Sequence, residues 1–425
     1  MPRLLIRNAL VIDPARKLEK QLNLFIEDGR IKSVGTGYPG TGRGSFEIYD
    51  ARGLWLMPGL IDMHVHTREP GMERAENLSS AAGAAAAGGF TSILAMPNTE
   101  PPADKPALIR RLRAKAENLP VNVYFSAAVT RGRSGRKLAD LEALKKAGAL
   151  AFTDDGACVA DPRLLRKALL LAKKLGVPVL EHAESLALTG YGVMHDCARA
   201  RRLKVPCIPR EAEVFMVLRD LMLAGATGGP LHIQHLSCRE SARLVAAAKR
   251  AGFRVTAETC PHYFTLTCED VGDASFKMKP PLRERGDRAA LKKGLLDGTI
   301  DVIASDHAPH PAAEKAKGLL DAPFGVIGLE TALGLALTEL FHKGIVSRLR
   351  LAELMSSNPA RILGLNNKGG LSPGMDADIT LIDPRVEYRV GPRFYSRSAN
   401  SPFIGRHLKG RAAATIVGGR FVFKS

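Results

Sequence analysis

Between residues 58 and 368 short apolar runs alternate with amphipathic segments, and this alternation limits the chain to very few folds. Candidate strands are the run around Ile61-Asp62-Met63-His64-Val65, then Thr91–Met96, Val121–Phe125, Ala149–Thr153, Val177–Leu180, Leu231–Gln234, Arg254–Ala257 and Ile300–Ala304. Each is followed by a helical pattern. Asp161-Pro162 opens one helix with an N-cap and a Pro in its first turn, and Lys173-Lys174-Leu175-Gly176 closes it with cations and a glycine. Asp140 to Gly148, Arg210 to Ala224 and Arg239 to Gly252 read the same way. Eight β–α repeats predict an α/β protein built on a (β/α)8 barrel, whose chemistry sits at the carboxyl ends of the strands. A doubly wound sheet is the alternative. It would gather its polar residues at one switch point, whereas here polar clusters recur after nearly every strand.

The flanks differ in style. Residues 1–57 and 369–425 are rich in short strands, and Glu27-Asp28-Gly29-Arg30 carries the Asp-Gly signal of a tight hairpin. A small β-sandwich domain assembled from both termini is expected beside the barrel.

The polar residues at the strand ends carry the chemistry. In the first strand His64 and His66 are two apart, so both imidazoles leave on one face. Later strand ends bring Met96-Pro97-Asn98-Thr99, Thr153-Asp154-Asp155-Gly156, Glu181-His182-Ala183-Glu184, Gln234-His235-Leu236-Ser237 and Ser305-Asp306-His307-Ala308-Pro309-His310. Singly, each has a bland explanation: a core histidine bonded to backbone, an N-cap, a carboxylate holding a turn. Together they put four histidines and two carboxylates on one rim, the donor set for one or two Zn²⁺ ions. Such ions acidify water and polarise a carbonyl, and Asp306, ending the last strand opposite His64 and His66, is placed to carry the proton to a leaving nitrogen.

Composition excludes several classes. The six cysteines are scattered without a CxxC pair, as in a protein with reduced thiols, and Cys158 reads as structural. The amino-terminal run Met1–Arg7 carries charges and no cleavage signal, and no apolar run would span a bilayer, so a cytoplasmic enzyme without membrane contact is expected. The net charge of +18 is spread over many helices, and only 5% of residues are aromatic, so no nucleic-acid face is expected. The excess of cations favours an anionic substrate or an acidic partner protein.

These motifs resemble the amidohydrolase superfamily and, within it, the type I dihydroorotases, over essentially the whole chain. The resemblance rests on His64 to Gly71, Met96 to Thr99, Phe152 to Gly156, Glu181 to Glu184, Gln234 to Ser237, Ala304 to His310 and Pro323-Phe324-Gly325. It implies that His64, His66 and Asp306 hold one zinc, that His182 and His235 hold a second, and that Asp155 bridges them where other members use a carboxylated lysine. It implies that Arg68, Asn98 and His310 grip a substrate carboxylate and that Phe324 and Gly325 offer backbone groups to its ring. Residues 311–322 correspond to a mobile active-site loop. The implied reaction is reversible cyclisation of N-carbamoyl-L-aspartate to L-dihydroorotate, by a homodimer or in a complex with aspartate transcarbamoylase. Allantoinase- or hydantoinase-like activity, or an inactive structural partner of the transcarbamoylase, are the alternatives. One position departs: Lys279 precedes Pro280-Pro281-Leu282-Arg283 where many relatives carry Asn, so the substrate contact there must differ. His262 and His307 also sit near the rim, with support of the metal ligands from behind and a direct part both open.

Overall fold

The computed structural model describes residues 3–37 and 46–425; Met1 and Pro2, at the start of the amino-terminal run, lie outside them. Strands β1 (Leu60–Val65), β2 (Phe90–Ala95), β3 (Asn122–Ala127), β4 (Ala151–Phe152), β5 (Val179–Glu181), β6 (Leu231–Ile233), β7 (Val255–Thr259) and β8 (Val302–Ile303) hydrogen-bond in sequence order. All pair in parallel. The ring closes through a single bridge between Val65 and His307, where the His66 amide donates to the His307 carbonyl at 2.8 Å. Asp62 strengthens this seam from below, its carboxylate accepting from the Ser305 amide at 3.1 and 3.2 Å. The expected barrel is therefore the observed one, nearly closed, with strands four and eight trimmed to two residues each.

The helices follow from their local chemistry. In Pro162–Leu175, Asp161 caps the Arg163 amide at 2.8 Å and Gly176 ends the helix in the left-handed region. Its buried residues Leu165, Ala168, Leu169 and Ala172 form one stripe facing the strands. The helix expected to stop at Ala224 runs from Glu211 to Thr227 and stops only at Gly228. Gly225 lies within it, at a position against the Phe253 ring where a Cβ would come within 2.4 Å of ring carbon.

Residues from both ends build a second sheet of eight strands: Leu4–Asp13, Leu18–Glu27, Arg30–Gly35, Glu47–Asp50 and Trp55–Pro58 with Ile379–Arg389, His407–Val417 and Arg420–Lys424. Asp28 and Gly29 both take positive φ, 53° and 72°, in the tight turn expected there. Hydrogen bonds join the strands into one sheet whose inner faces share a core that includes Leu24, Ile31, Leu56, Ile379 and Ile416. Trp55–Pro58 pairs with Ile379–Arg389, and the chain then crosses into β1 at Gly59. A side chain at 59 would overlap Thr91, within 2.1 Å of its hydroxyl, so only glycine passes there. Thr380 pins the junction, accepting from the Leu60 amide at 3.1 Å and donating to the Gly89 carbonyl at 2.6 Å.

Candidate metal centre and substrate cavity

The strand ends of the barrel converge as their sequence positions imply. His64 and His66 leave β1 side by side, their rings 5.4 Å apart. Asp155 follows β4, and its Oδ1 lies 3.2 Å from His64 Nε2 while its Oδ2 lies 3.4 Å from His66 Nε2. Asp306, beyond β8, places Oδ1 3.4 Å from His64 Nε2 and 3.1 Å from His66 Nε2. His182 Nδ1 lies 3.7 Å from Asp155 Oδ1 and 2.7 Å from His235 Nε2. Two compact donor groups result, His64–His66–Asp155 and Asp155–His182–His235, with Asp155 common to both. All six residues are buried.

Electrostatics shows what the cluster can hold. Burial opposes ionisation of Asp155 and Asp306, yet the surrounding imidazoles hold both carboxyls well below the usual range. His64 is pushed down by burial but lifted well above its ordinary value by Asp155, Asp306 and Glu258. In the same way burial lowers His182, and Asp155 and Glu184 raise it to about 9. His235, buried beside His182, falls to about 3 and stays neutral. Buried carboxylates among imidazoles that must take up protons to balance them form a place for a cation. Oxygen and imidazole-nitrogen donors in this proportion fit one or two divalent ions such as zinc.

The cluster opens into a cavity of about 300 Å³ whose wall includes Arg68, Asn98, Lys279, His310, Phe324 and Gly325 as well as every cluster residue except His64. Arg68 donates from Nε to the Pro309 carbonyl at 3.1 Å, and its Nη2 lies 3.1 Å from His310 Nε2. Burial lowers Arg68 to about 10, which leaves it cationic at neutral pH. Burial and then Arg68 lower His310 to about 3, so its imidazole is neutral. Asn98 faces the cluster: its Oδ1 lies 2.9 Å from His66 Nδ1, and its Nδ2 donates to Asp155 Oδ2 at 3.4 Å. Gly325 takes φ 139°, and a Cβ there would meet the Ala308 carbonyl at 2.6 Å. Residues 311–322 form two short helical turns rather than an irregular loop. The buried Lys315 ties them down, donating to the Pro323 carbonyl at 2.9 Å and the Lys277 carbonyl at 3.2 Å.

Several supporting residues escape the reading by strand ends. Glu258, inside β7, accepts from His64 Nδ1 at 2.6 Å and fixes that ring; His64, above all, holds its carboxyl down at about 2. A carboxylate in an otherwise buried strand, two positions from Thr256, was the signal available for it. Asn400 arrives from the carboxyl-terminal segment, accepting from the His310 amide at 3.1 Å and donating to the Ala308 and Gly325 carbonyls at 3.1 and 3.0 Å. Nothing local in the sequence marks it. Arg133 donates to the carbonyls of Asp154 and Asp155 and holds their turn. Asp154 faces away from the cluster, accepting from the Thr130 amide at 3.0 Å. His307 also turns away, its Nε2 3.1 Å from Glu76 and its Nδ1 accepting from the Gly328 amide at 3.2 Å. His262 sits beside Asp306, buried and lowered by burial to about 4.

Fold and site together define a metal-dependent hydrolase of the barrel type, and comparison with known proteins agrees: the chain belongs to the amidohydrolase family, whose profile matches residues 55–422. Members of this family generally depend on a metal. Within it the chain groups with the dihydroorotases. It is 49% identical over 425 residues to the dihydroorotase of Pelotomaculum thermopropionicum, with 99% of each chain covered. It is 46% identical, with the same coverage, to that of Pelobacter propionicus. Among solved structures, an L-hydantoinase (dihydropyrimidinase) from Arthrobacter aurescens superposes with a TM-score of 0.88 at 25% identity, covering 100% of this chain and 96% of that one. A dihydropyrimidinase from Brevibacillus agri gives a TM-score of 0.87 at 26% identity, covering 99% and 95%.

Proposed function

We propose that this chain is a dihydroorotase that interconverts N-carbamoyl-L-aspartate and L-dihydroorotate, as a step of pyrimidine synthesis. The observation that carries the substrate is the buried Arg68 guanidinium, which faces the same cavity as the donor cluster. A ring amide offered to the cluster and a carboxylate offered to Arg68 describe dihydroorotate, and the relatives that match over the full length bear that enzyme's name.

His64, His66, Asp155, His182, His235 and Asp306 would hold one or two Zn²⁺ ions. Bound zinc supplies Lewis acidity towards water and the amide carbonyl. The protein's own groups do the rest. Arg68, with His310 and Asn98, orients the substrate carboxylate through charge-assisted hydrogen bonds. Asp306, kept ionised by its histidines, accepts the proton of the attacking water and delivers it to the departing ring nitrogen. Cyclisation reverses these transfers. Phe324 and Gly325 border the ring's place, and Lys279 closes the cavity on the side of His182.

The likeness to hydantoinase and dihydropyrimidinase structures supports a second reading, hydrolysis of a cyclic ureide without a carboxylate. Arg68 argues against it, since a buried cation would then face an uncharged ring. The reading also takes the protein as a cytoplasmic homodimer able to join aspartate transcarbamoylase. Among the described residues no helix is long and apolar enough to cross a membrane. Native mass measurement at low salt tests the dimer and the joint complex; monomers alone would remove both.

The deciding experiment measures zinc content and dihydroorotate hydrolysis on one preparation, beside Asp306→Ala, with hydantoin and dihydrouracil as competing substrates. Zinc present, dihydroorotate preferred and activity lost in the variant are expected. A zinc-loaded enzyme that turns over only the uncharged rings would overturn the substrate.

A further inference from the structure

We propose that Glu213, Ser237 and Arg283 form a positioning brace: they hold the turn after β6 so that His235 keeps a left-handed backbone and its imidazole stays in the cluster. This rests on the reading of His235 as a metal ligand. It extends that reading to three residues that belong neither to the donor groups nor to the cavity wall.

The need for a brace lies in the backbone. His235 takes φ 32°, a region that residues with a Cβ rarely enter, and it persists there only where its surroundings leave no alternative. On its amino side the Gln234 amide donates to the Glu181 carbonyl at 3.1 Å, and on its carboxyl side the Leu236 amide donates to the Glu258 carbonyl at 2.9 Å. Beyond Leu236 side chains take over. Glu213, buried on the helix Glu211–Thr227, accepts through Oε1 from the Ser237 and Cys238 amides at 3.1 and 3.0 Å. Its Oε2 accepts from the Ser237 hydroxyl. Arg283 Nε donates to that same hydroxyl at 2.9 Å, and the Arg283 carbonyl is itself held by the Cys268 amide at 2.8 Å. All three braced side chains are buried, so water does not compete for these bonds.

The competing assignment makes Glu213 a cap and nothing more, since Cys238 precedes the helix Arg239–Arg250 and its side chain caps no amide. Two features go beyond a cap. Glu213 reaches back to Ser237, ahead of the cap position, and the Ser237 hydroxyl joins it to Arg283. The first amide of the helix, that of Arg239, is bonded by Asp287 instead, at 3.0 Å. Asp287 therefore serves the helix, and Glu213 serves the turn that carries His235. Without the Glu213 carboxylate, two buried amides and a hydroxyl lose their acceptor. The turn shifts to find others, and His235 relaxes towards an ordinary φ, taking its ring away from His182, now 2.7 Å off.

The test compares the full-length protein with Glu213→Gln, Ser237→Ala, the pair of these, and Asp287→Asn as a control on the same helix end. Zinc retention against a competing chelator is read by metal analysis. Thermal unfolding of the metal-free protein reads stability apart from the metal, and kcat and KM for dihydroorotate are measured separately. Glu213→Gln and Ser237→Ala should each weaken zinc retention about 10- to 100-fold, the range for groups that orient a metal-bound histidine. kcat should fall while KM stays within a few-fold, because Arg68 is untouched. The pair should fall short of the product of the single effects, since both changes break one brace. Asp287→Asn should lower the metal-free Tm and keep its zinc. Brace variants that lose metal-free stability but hold zinc as the parent does would reduce Glu213 to a cap and overturn the proposal. Zinc lost equally from Asp287→Asn would overturn it too, by assigning the effect to the helix as a whole. Should Glu213→Gln fail to fold, Ser237→Ala decides alone. A parent that takes up no zinc removes the metal reading and this inference with it, whereas a zinc-replete parent beside unaltered variants removes this inference alone.

Discussion

The two halves of the cavity are built differently. The metal half is made of side chains at strand ends, all buried, and three of them are held by a neighbour: His64 by Glu258 on β7, His66 by Asn98 beyond β2, Asp155 by the turn that Arg133 holds. The carboxylate half is made of loop residues. Arg68 and His310 stand on segments that Asn400 and Pro309 brace through backbone contacts. Strands fix a direction for every second residue, whereas loops take theirs from whatever packs against them. The lesson is a division of labour: rigid strand ends for the group that performs the chemistry, adjustable loops for the group that selects the substrate.

The strongest test of this division is Asp306→Ala, which removes the proton carrier from the metal half. It should lower kcat for dihydroorotate about 10² to 10⁴-fold. If the halves are separable, KM stays within a few-fold of the parent, and a KM that rises in step with the fall in kcat would break the division. Arg68→Met attacks the other half. Loss of a charge-assisted bond worth about 1.5–3 kcal/mol should raise KM about 10- to 100-fold while zinc content, read by metal analysis, is unchanged. Zinc lost from that variant would show that the halves are one structure.

Smaller effects sharpen the picture. Asn400→Ala frees the His310 segment without touching either half directly, and kcat/KM should fall about tenfold through misplacement alone. Steady-state kinetics on a variant with unchanged thermal unfolding checks this. The smallest effect concerns pH. His310 lies far below its ordinary value, at about 3, so it is neutral in the free site across pH 6 to 8. The KM for dihydroorotate should therefore show no step near 6.5. An unperturbed imidazole would gain charge as the pH falls through that value and tighten carboxylate binding, which a falling KM would reveal.

The same contrast explains what could be foreseen. His64, His66, Asp155, His182, His235 and Asp306 follow apolar runs whose period gives the side-chain direction, so their convergence could be inferred from the barrel alone. Arg68, Asn98 and His310 also follow strand ends, but their grip on a substrate carboxylate was legible only through resemblance, because a loop residue carries no period. Glu258 was hidden by its strand, since attention to strand ends passes over a polar residue inside one. Asn400 was hidden by distance: it lies 90 residues from His310, and nothing in its own segment shows where that segment returns. Glu184 stood in view beside His182, but its partner Lys279 belongs to another segment, and only packing joins them.

The seam between Val65 and His307 has a consequence in time. A ribosome releases His66 long before Asp306, which lies 240 residues further on, and the partner of Trp55–Pro58 appears later still, at Ile379–Arg389. A nascent chain therefore exposes two histidines on an unclosed strand through most of its synthesis, with neither the carboxylate that completes the cluster nor the wall that closes the ring. The enzyme cannot be assembled by degrees from its amino end. It comes into being only as the last quarter of the polypeptide is delivered, and until then its first strand has to be kept from finding other partners.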